Sequence, residues 1–307
     1  MTTREVKNGV FPTMITPYKK DGDIDYDAVK RLTEFYAETG CNGIFAVCQS
    51  SEMMYLSLAE RVKLAECVVK AADGRMSVVA SGHCGNSISE QTEEINAMAQ
   101  TGVDAVVLVT NRFDLHNDGD EVWKENADRV LDGIQSDIPL GIYECPVPYK
   151  RLLTPEILDW CIKTGRFRFS KDTCCDPELL TERLKQVQGT GFKLFNANIQ
   201  TLLHSLQDGA AGYSGIMANF HPRLIAWLCD NFDKQPQKAE MVSNVLSMCG
   251  FTENPAYPCT AKYYLNKIGV TMEEFSRSCD PKRVTPYQKL IVDQMGELAA
   301  KCEKDLL

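Results

Sequence analysis

The 307-residue sequence contains no apolar run long enough to cross a membrane, and its first residues, MTTREVKNG, lack the apolar core of a secretory leader. A cytoplasmic protein with no membrane partner is the expectation. No basic patch stands out. With 33 lysines and arginines against 42 aspartates and glutamates, the formal charge is -9, which speaks against nucleic acid as a partner. The thirteen cysteines include no CxxC pair, and the adjacent Cys174 and Cys175 are poorly spaced for two ligands of one metal. An odd number of thiols with no leader ahead of them argues against a disulfide framework. Reduced cysteines filling small apolar sites are expected instead. No GxGxxG follows the first strand-like run, which weighs against a dinucleotide-binding sheet.

What is present is a soluble globular composition, 44% hydrophobic and 24% charged, able to bury a sizeable core. Strand-like runs alternate with helix-like ones. GVFPTMIT (9–16) leads to a helix over 25–38, GIFAVC (43–48) to 57–72, and SVVASG (77–82) to 87–100. DAVVLVT (104–110) leads to 120–135, LGIYEC (140–145) to 154–163, and the run from Arg166 to 176–187. FKLFN (192–196) leads to 199–207 and GYSGIMAN (212–219) to 222–231. Caps punctuate the helices: Ser57…Glu60 forms a capping box, and Thr154-Pro155 and Asp176-Pro177 place a proline in the first turn. About eight βα units over roughly 230 residues predict a (β/α)8 TIM barrel, with a doubly wound open sheet as the rival. Beyond residue 235 the alternation stops. Helices are expected over 241–249, 258–268, 271–279 and 286–306, so the chain divides into a barrel (1–234) and a C-terminal helical region (235–307).

The stretch RFRFSKDTCCD (166–176) is the most informative. Phe167 and Phe169 alternate with polar residues as in a strand, then Lys171 falls where the strand should end and a polar turn begins. An amine between a buried strand and a loop suits a desolvated nucleophile, although it also suits a lysine reaching into water. In a barrel, chemistry sits at the C-terminal strand ends. Those ends carry Gln49, Ser50, Ser51 and Glu52 after strand two, His83 after strand three, Arg112 and Phe113 after strand four, and Tyr143 and Glu144 on strand five. Asn196 and Asn198 follow strand seven, and Asn219 and His221 strand eight. One lysine, one tyrosine and a hydroxyl cluster can converge on a small carbonyl compound. No His/Asp/Glu cluster of suitable spacing offers a metal site.

Several landmarks resemble the dihydrodipicolinate synthase/N-acetylneuraminate lyase family of Schiff-base aldolases. GVFPTMITPYKKDGDID is similar to the family's opening strand and loop. GCNGIFAVCQSSEMMYLSLAER stands where the family has GxxGE followed by LxxxE. DIPLGIYECP, FSKDT and DGAAGYSGIMAN resemble the segments with the tyrosine, the imine-forming lysine and the final barrel strand. The resemblance implies Lys171 as the imine-forming amine and Tyr143 as the proton shuttle. Ser50, with the backbone of the Gln49–Ser51 loop, falls where the substrate carboxylate is held, and Ala197 replaces a glycine after strand seven. It also implies no cofactor and a homo-oligomer, dimer or tetramer, in which Phe113 and Leu115 pack across a subunit contact.

There are departures. Gln49 replaces a relay hydroxyl, Phe113 replaces a relay tyrosine, and Pro148 stands where the synthases grip an aldehyde's carboxylate with arginine. The expected function is a Schiff-base lyase, aldolase or dehydratase, acting on pyruvate or a related 2-oxo acid or deoxy sugar acid. The alternative these departures raise is a catalytically impaired relative that binds 2-oxo acids or regulates.

Overall fold

The computed structural model describes residues 5–306. Its strands are β1 (Gly9–Val10), β2 (Gly43–Phe45), β3 (Ser77–Ala80), β4 (Ala105–Val109), β5 (Leu140–Tyr143), β6 (Phe167–Asp172), β7 (Lys193–Asn196) and β8 (Gly212–Tyr213). All pair in parallel, each with the next from β2 to β8, and β8 pairs with β1. A parallel bridge between Thr13 and Phe45 closes the remaining gap, flanked by Met14 N–H to Phe45 O at 3.0 Å and Phe45 N–H to Pro12 O at 3.0 Å. The sheet is therefore a (β/α)8 barrel, and the open-sheet rival falls. β1 is shorter than its apolar run because Pro12 has no N–H to offer the ladder. At the β1–β8 seam Gly9 pairs with Gly212, where a Cβ would lie 1.9 Å from the Gly9 carbonyl oxygen. Only glycine fits there.

The barrel helices are α1 (Tyr26–Glu38), α2 (Leu58–Ala72), α3 (Ile88–Ala99), α4 (Asp120–Asp132), α5 (Pro155–Thr164), α6 (Pro177–Val187), α7 (Leu202–Gln207) and α8 (Pro222–Asn231). Their starts follow the capping chemistry. Ser57 and Ser87 close full capping boxes with Glu60 and Glu90, while Thr154 and Asp176 cap helices that open on proline. With helices covering the outside and side chains filling the inside, β2, β3, β4 and β5 are buried at every position.

Three further helices, α9 (Pro236–Gly250), α10 (Cys259–Lys267) and α11 (Pro286–Leu306), pack beside α7 and α8. Val242, Leu246, Leu265, Val292 and Met295 join the same continuous apolar cluster as the barrel. The helix expected over 271–279 does not form. Its polar groups are taken by distant partners instead. Glu52 accepts from the Ser276 hydroxyl (2.9 Å) and the Ser278 N–H (2.6 Å), and Arg277 reaches Glu60 (2.6 Å) and the Gly22 carbonyl (2.9 Å). No helix among the described residues is long and apolar enough to cross a membrane.

Candidate active site

β6 does not stop at Lys171. It runs through Asp172, pairing Lys171 with Tyr143 on β5 and with Phe195 on β7. Lys171 and Asp172 are accommodated in the strand because each has a buried destination. Strand alternation sends Lys171 to the inner face with Phe169, and Asp172 to the outer face. On β5 the same alternation separates Tyr143 from Glu144. Outside the barrel, Arg183 of α6 reaches both carboxylates, Glu144 at 2.8 Å and Asp172 in a short charged contact. Glu144 also accepts the backbone N–H groups of Leu153 (2.7 Å) and Thr173 (2.8 Å). A buried ion cluster thus joins the ends of β5 and β6 from behind.

Inside, Lys171 is 6% exposed and stands at the top of a small apolar cavity lined by Phe11, Phe45, Phe169, Phe195 and Ser214. Burial pushes its amine down to about 8, against the opposing pull of the neighbouring Cys48 and Cys145 thiols and the Glu144 and Asp172 carboxylates. Its Nζ lies 4.0 Å from the centre of the Tyr143 ring. The Tyr143 ring meets Phe45 edge-on at 5.7 Å, and burial holds its phenol well above the ordinary tyrosine range. Tyr143 is therefore a proton-bearing group beside an amine that loses its proton readily.

The loop after β2 supplies the hydroxyls. The Ser50 hydroxyl lies 3.1 Å from that of Thr13 and within reach of the Tyr257 hydroxyl. Asn219 Nδ2 donates to Tyr257 at 3.1 Å, and Asn219 Oδ1 accepts from Tyr36 at 2.6 Å. The Ser51 hydroxyl is turned into the wall, 2.8 Å from both the Met14 and Ala46 carbonyls, and it accepts the Cys48 N–H at 2.9 Å. Its side chain holds the loop and is not presented to the cavity. Gln49 Oε1 accepts from the Cys145 thiol at 3.0 Å. Ala197 extends the β7 edge, its N–H donating to the Asp172 carbonyl at 3.0 Å, and it brings no polar side chain.

Phe113 is not a subunit-contact residue. It is fully buried within its own chain, its ring 5.0 Å from that of His83 and 4.9 Å from that of Trp123. His83 is neither base nor ligand. Its Nδ1 accepts the Val109 N–H at 2.9 Å and its Nε2 faces Gln91 Oε1 at 2.8 Å, while burial pushes its pKa down to about 3. Arg112 is held by Asn86 Oδ1 at 3.0 Å. The Asn111 amide gathers the carbonyls of Cys145 (2.9 Å), Val147 (3.1 Å) and Tyr149 (2.6 Å), fixing the loop that carries Pro148. Thr13, Ser214 and Tyr257 were not among the expected site residues. They come from strand ends and a C-terminal connector, and no local pattern marks them. Among the described residues no group of three or more His, Cys, Asp or Glu side chains could hold a metal ion.

The profile of the Dihydrodipicolinate synthetase family matches residues 6–293 of the chain. A 4-hydroxy-tetrahydrodipicolinate synthase from Pseudoalteromonas atlantica is 26% identical over 88% of this chain and 90% of its own. The sialic acid aldolase of Ruminococcus gnavus superposes with a TM-score of 0.87 at 19% identity, covering 99% of this chain and all 100% of that one. A dihydrodipicolinate synthase from Bacillus anthracis superposes with a TM-score of 0.84 at 18% identity, over 95% and 99% of the two chains. At such identities the superpositions show a shared fold.

Proposed function

Because the chain belongs to the dihydrodipicolinate synthetase family, we propose that it is a Schiff-base-forming lyase acting on pyruvate or a related 2-oxo acid, with Lys171 as nucleophile and Tyr143 as proton shuttle. The observation that carries this is a lysine at the C-terminal end of a barrel strand, lining an apolar cavity with its amine over the ring of a buried tyrosine on the next strand. An amine pushed down to about 8 has roughly two orders of magnitude more neutral form at pH 7 than an ordinary lysine.

The neutral Lys171 amine attacks the ketone carbon and forms a C–N bond, while the carbonyl oxygen takes a proton from Tyr143. Loss of water from this carbinolamine gives a protonated imine. That cation accepts the electron pair released when the bond from the adjacent carbon to the next one breaks, the aldol hydroxyl returning its proton to Tyr143. It equally accepts the pair released when a C–H bond on the adjacent carbon breaks, the proton passing through Tyr143 to the hydroxyl group that the enamine then expels as water. The resulting enamine is reprotonated, and water frees the product. The Ser50 hydroxyl and the backbone of the Gln49–Ser51 loop hold the substrate carboxylate, and the amine supplies the electron sink without a cofactor. Pro148 stands where the resemblance puts the synthases' arginine, and proline carries no cation. Condensation of pyruvate with aspartate semialdehyde is therefore expected to be slow, and rapid condensation would overturn that part of the proposal. A dimer or tetramer in the cytoplasm belongs to the same proposal; a light-scattering mass near 34 kDa would remove the oligomer.

Reduction with borohydride in the presence of pyruvate tests the central step. A covalent mass on Lys171, absent from Lys171→Ala, is the expected result. A label on another lysine, or none with any 2-oxo acid, would end the proposal.

A further inference from the structure

Cys145 is buried two positions beyond Tyr143, and the chemistry above gives it no task. Its surroundings fix the thiol closely. The Cys145 N–H donates to the Tyr143 carbonyl at 2.9 Å, a three-residue turn that folds its side chain back toward the tyrosine. The Cys145 carbonyl accepts from Asn111 Nδ2 at 2.9 Å, which pins that turn from the β4 side. The thiol donates to Gln49 Oε1 at 3.0 Å and lies within hydrogen-bonding reach of the Tyr143 hydroxyl. One sulfur therefore joins the β5 tyrosine to the loop after β2.

We propose that Cys145 is a positioning residue for Tyr143: its sulfur accepts the phenolic hydrogen while its own hydrogen is held by Gln49. A hydroxyl has one hydrogen and two lone pairs. Directing the hydrogen at sulfur leaves the oxygen lone pairs free to accept a hydrogen bond from the carbinolamine. Sulfur is a weak acceptor, so the phenol can turn and give its hydrogen to a substrate oxygen at little cost. No proton leaves the thiol in either setting, and burial pushes its pKa up, which keeps it an S–H donor. In this arrangement the Gln49 amide does not relay a proton. It orients the thiol that orients the phenol.

The proposal rests on the imine chemistry above, and its test has one arm that does not. In the infrared difference between wild type and Cys145→Val, the Cys145 S–H stretch is expected at the low frequency of a hydrogen-bonded thiol. It should move up in Gln49→Leu and shift in Tyr143→Phe. A band at the free-thiol position, or one indifferent to Gln49→Leu, overturns the link whether or not the protein turns over.

In the kinetic arm, borohydride trapping of pyruvate is expected to slow by about ten- to a hundredfold in Cys145→Val. The half-saturating pyruvate concentration should be unchanged, and Cys145→Ser should recover most of the rate. Trapping at the wild-type rate in a folded Cys145→Val, or in Cys145→Ala should the valine variant not fold, also overturns it. If wild type itself traps no 2-oxo acid, the lyase proposal fails and the infrared arm alone decides the link.

Discussion

Tyr143 and Lys171 are register partners on neighbouring strands, and the lysine Nζ stands 4.0 Å from the centre of the tyrosine ring. Two effects compete at that distance. A ring face attracts an ammonium by about 1–2 kcal/mol, which would keep the proton on. Burial among phenylalanines removes it. The drop from 10.5 to about 8 corresponds to a net ~3–4 kcal/mol against the charged form, so desolvation wins. The register itself is held from outside the barrel, where Arg183 grips Glu144 and Asp172, the residues that directly follow the pair.

The first prediction concerns the pH at which imine forms. Only the neutral amine attacks, so below its pKa the trapping rate with pyruvate should rise about tenfold for each step of one in pH. It should level off above about 8, where Lys171 is deprotonated. An inflection near 10.5, the unperturbed lysine value, would mean that the well does not desolvate the amine.

The second concerns the cluster behind the strands. Arg183→Met leaves Glu144 and Asp172 buried side by side without their cation, which should cost about 3–5 kcal/mol in urea denaturation. Arg183→Lys should restore little, because one ammonium cannot serve two carboxylates and the Leu153 carbonyl (2.6 Å) as a guanidinium does. Adding Glu144→Gln and Asp172→Asn to Arg183→Met should recover part of the loss. A single mutant within about 0.5 kcal/mol of wild type, the range of an ordinary surface substitution, would show that the cluster does not hold the strands.

The barrel was legible because its punctuation is local. A capping serine with glutamate three residues on, or an Asp-Pro or Thr-Pro pair, marks a helix start wherever the chain lies. α8 and α11 begin and end at the expected residues. What local chemistry cannot say is where a polar residue finds its partner. Asp172 resembles the start of a turn until Arg183, eleven residues beyond it, makes it strand. Residues 271–279 resemble a helix until Glu52 and Glu60 bind Ser276, Arg277 and Ser278. Phe113 is an apolar loop residue whose side is decided by His83 and Trp123. Lys171, Tyr143 and Ser50 are candidates already in the chain; Thr13, Ser214 and Tyr257 become candidates only when the fold brings distant ends together.

The third prediction concerns Glu253, which is 9% exposed and has a carboxylate oxygen without a partner. Burial pushes its pKa up from 4.5 to about 8, so the folded protein holds the acid protonated at neutral pH. In the unfolded chain the same group ionises freely. A raised folded-state pKa means that its contribution to stability is full below about pH 4.5 and is lost as pH rises through about 8. Glu253→Gln keeps the shape and removes the proton. It should match wild type at pH 4.5 and exceed it by about 2–5 kcal/mol at pH 9, since each tenfold change in a protonation equilibrium is worth about 1.4 kcal/mol. The Tyr213 and Tyr257 phenols feel the Glu253 charge, and Tyr257 neighbours Ser50. Ionisation of this buried acid therefore reaches the loop after β2. Denaturant titrations of both proteins at the two pH values decide the matter. A stability difference that does not change with pH would mean that Glu253 is already ionised in the fold, and that a partner for its charge exists.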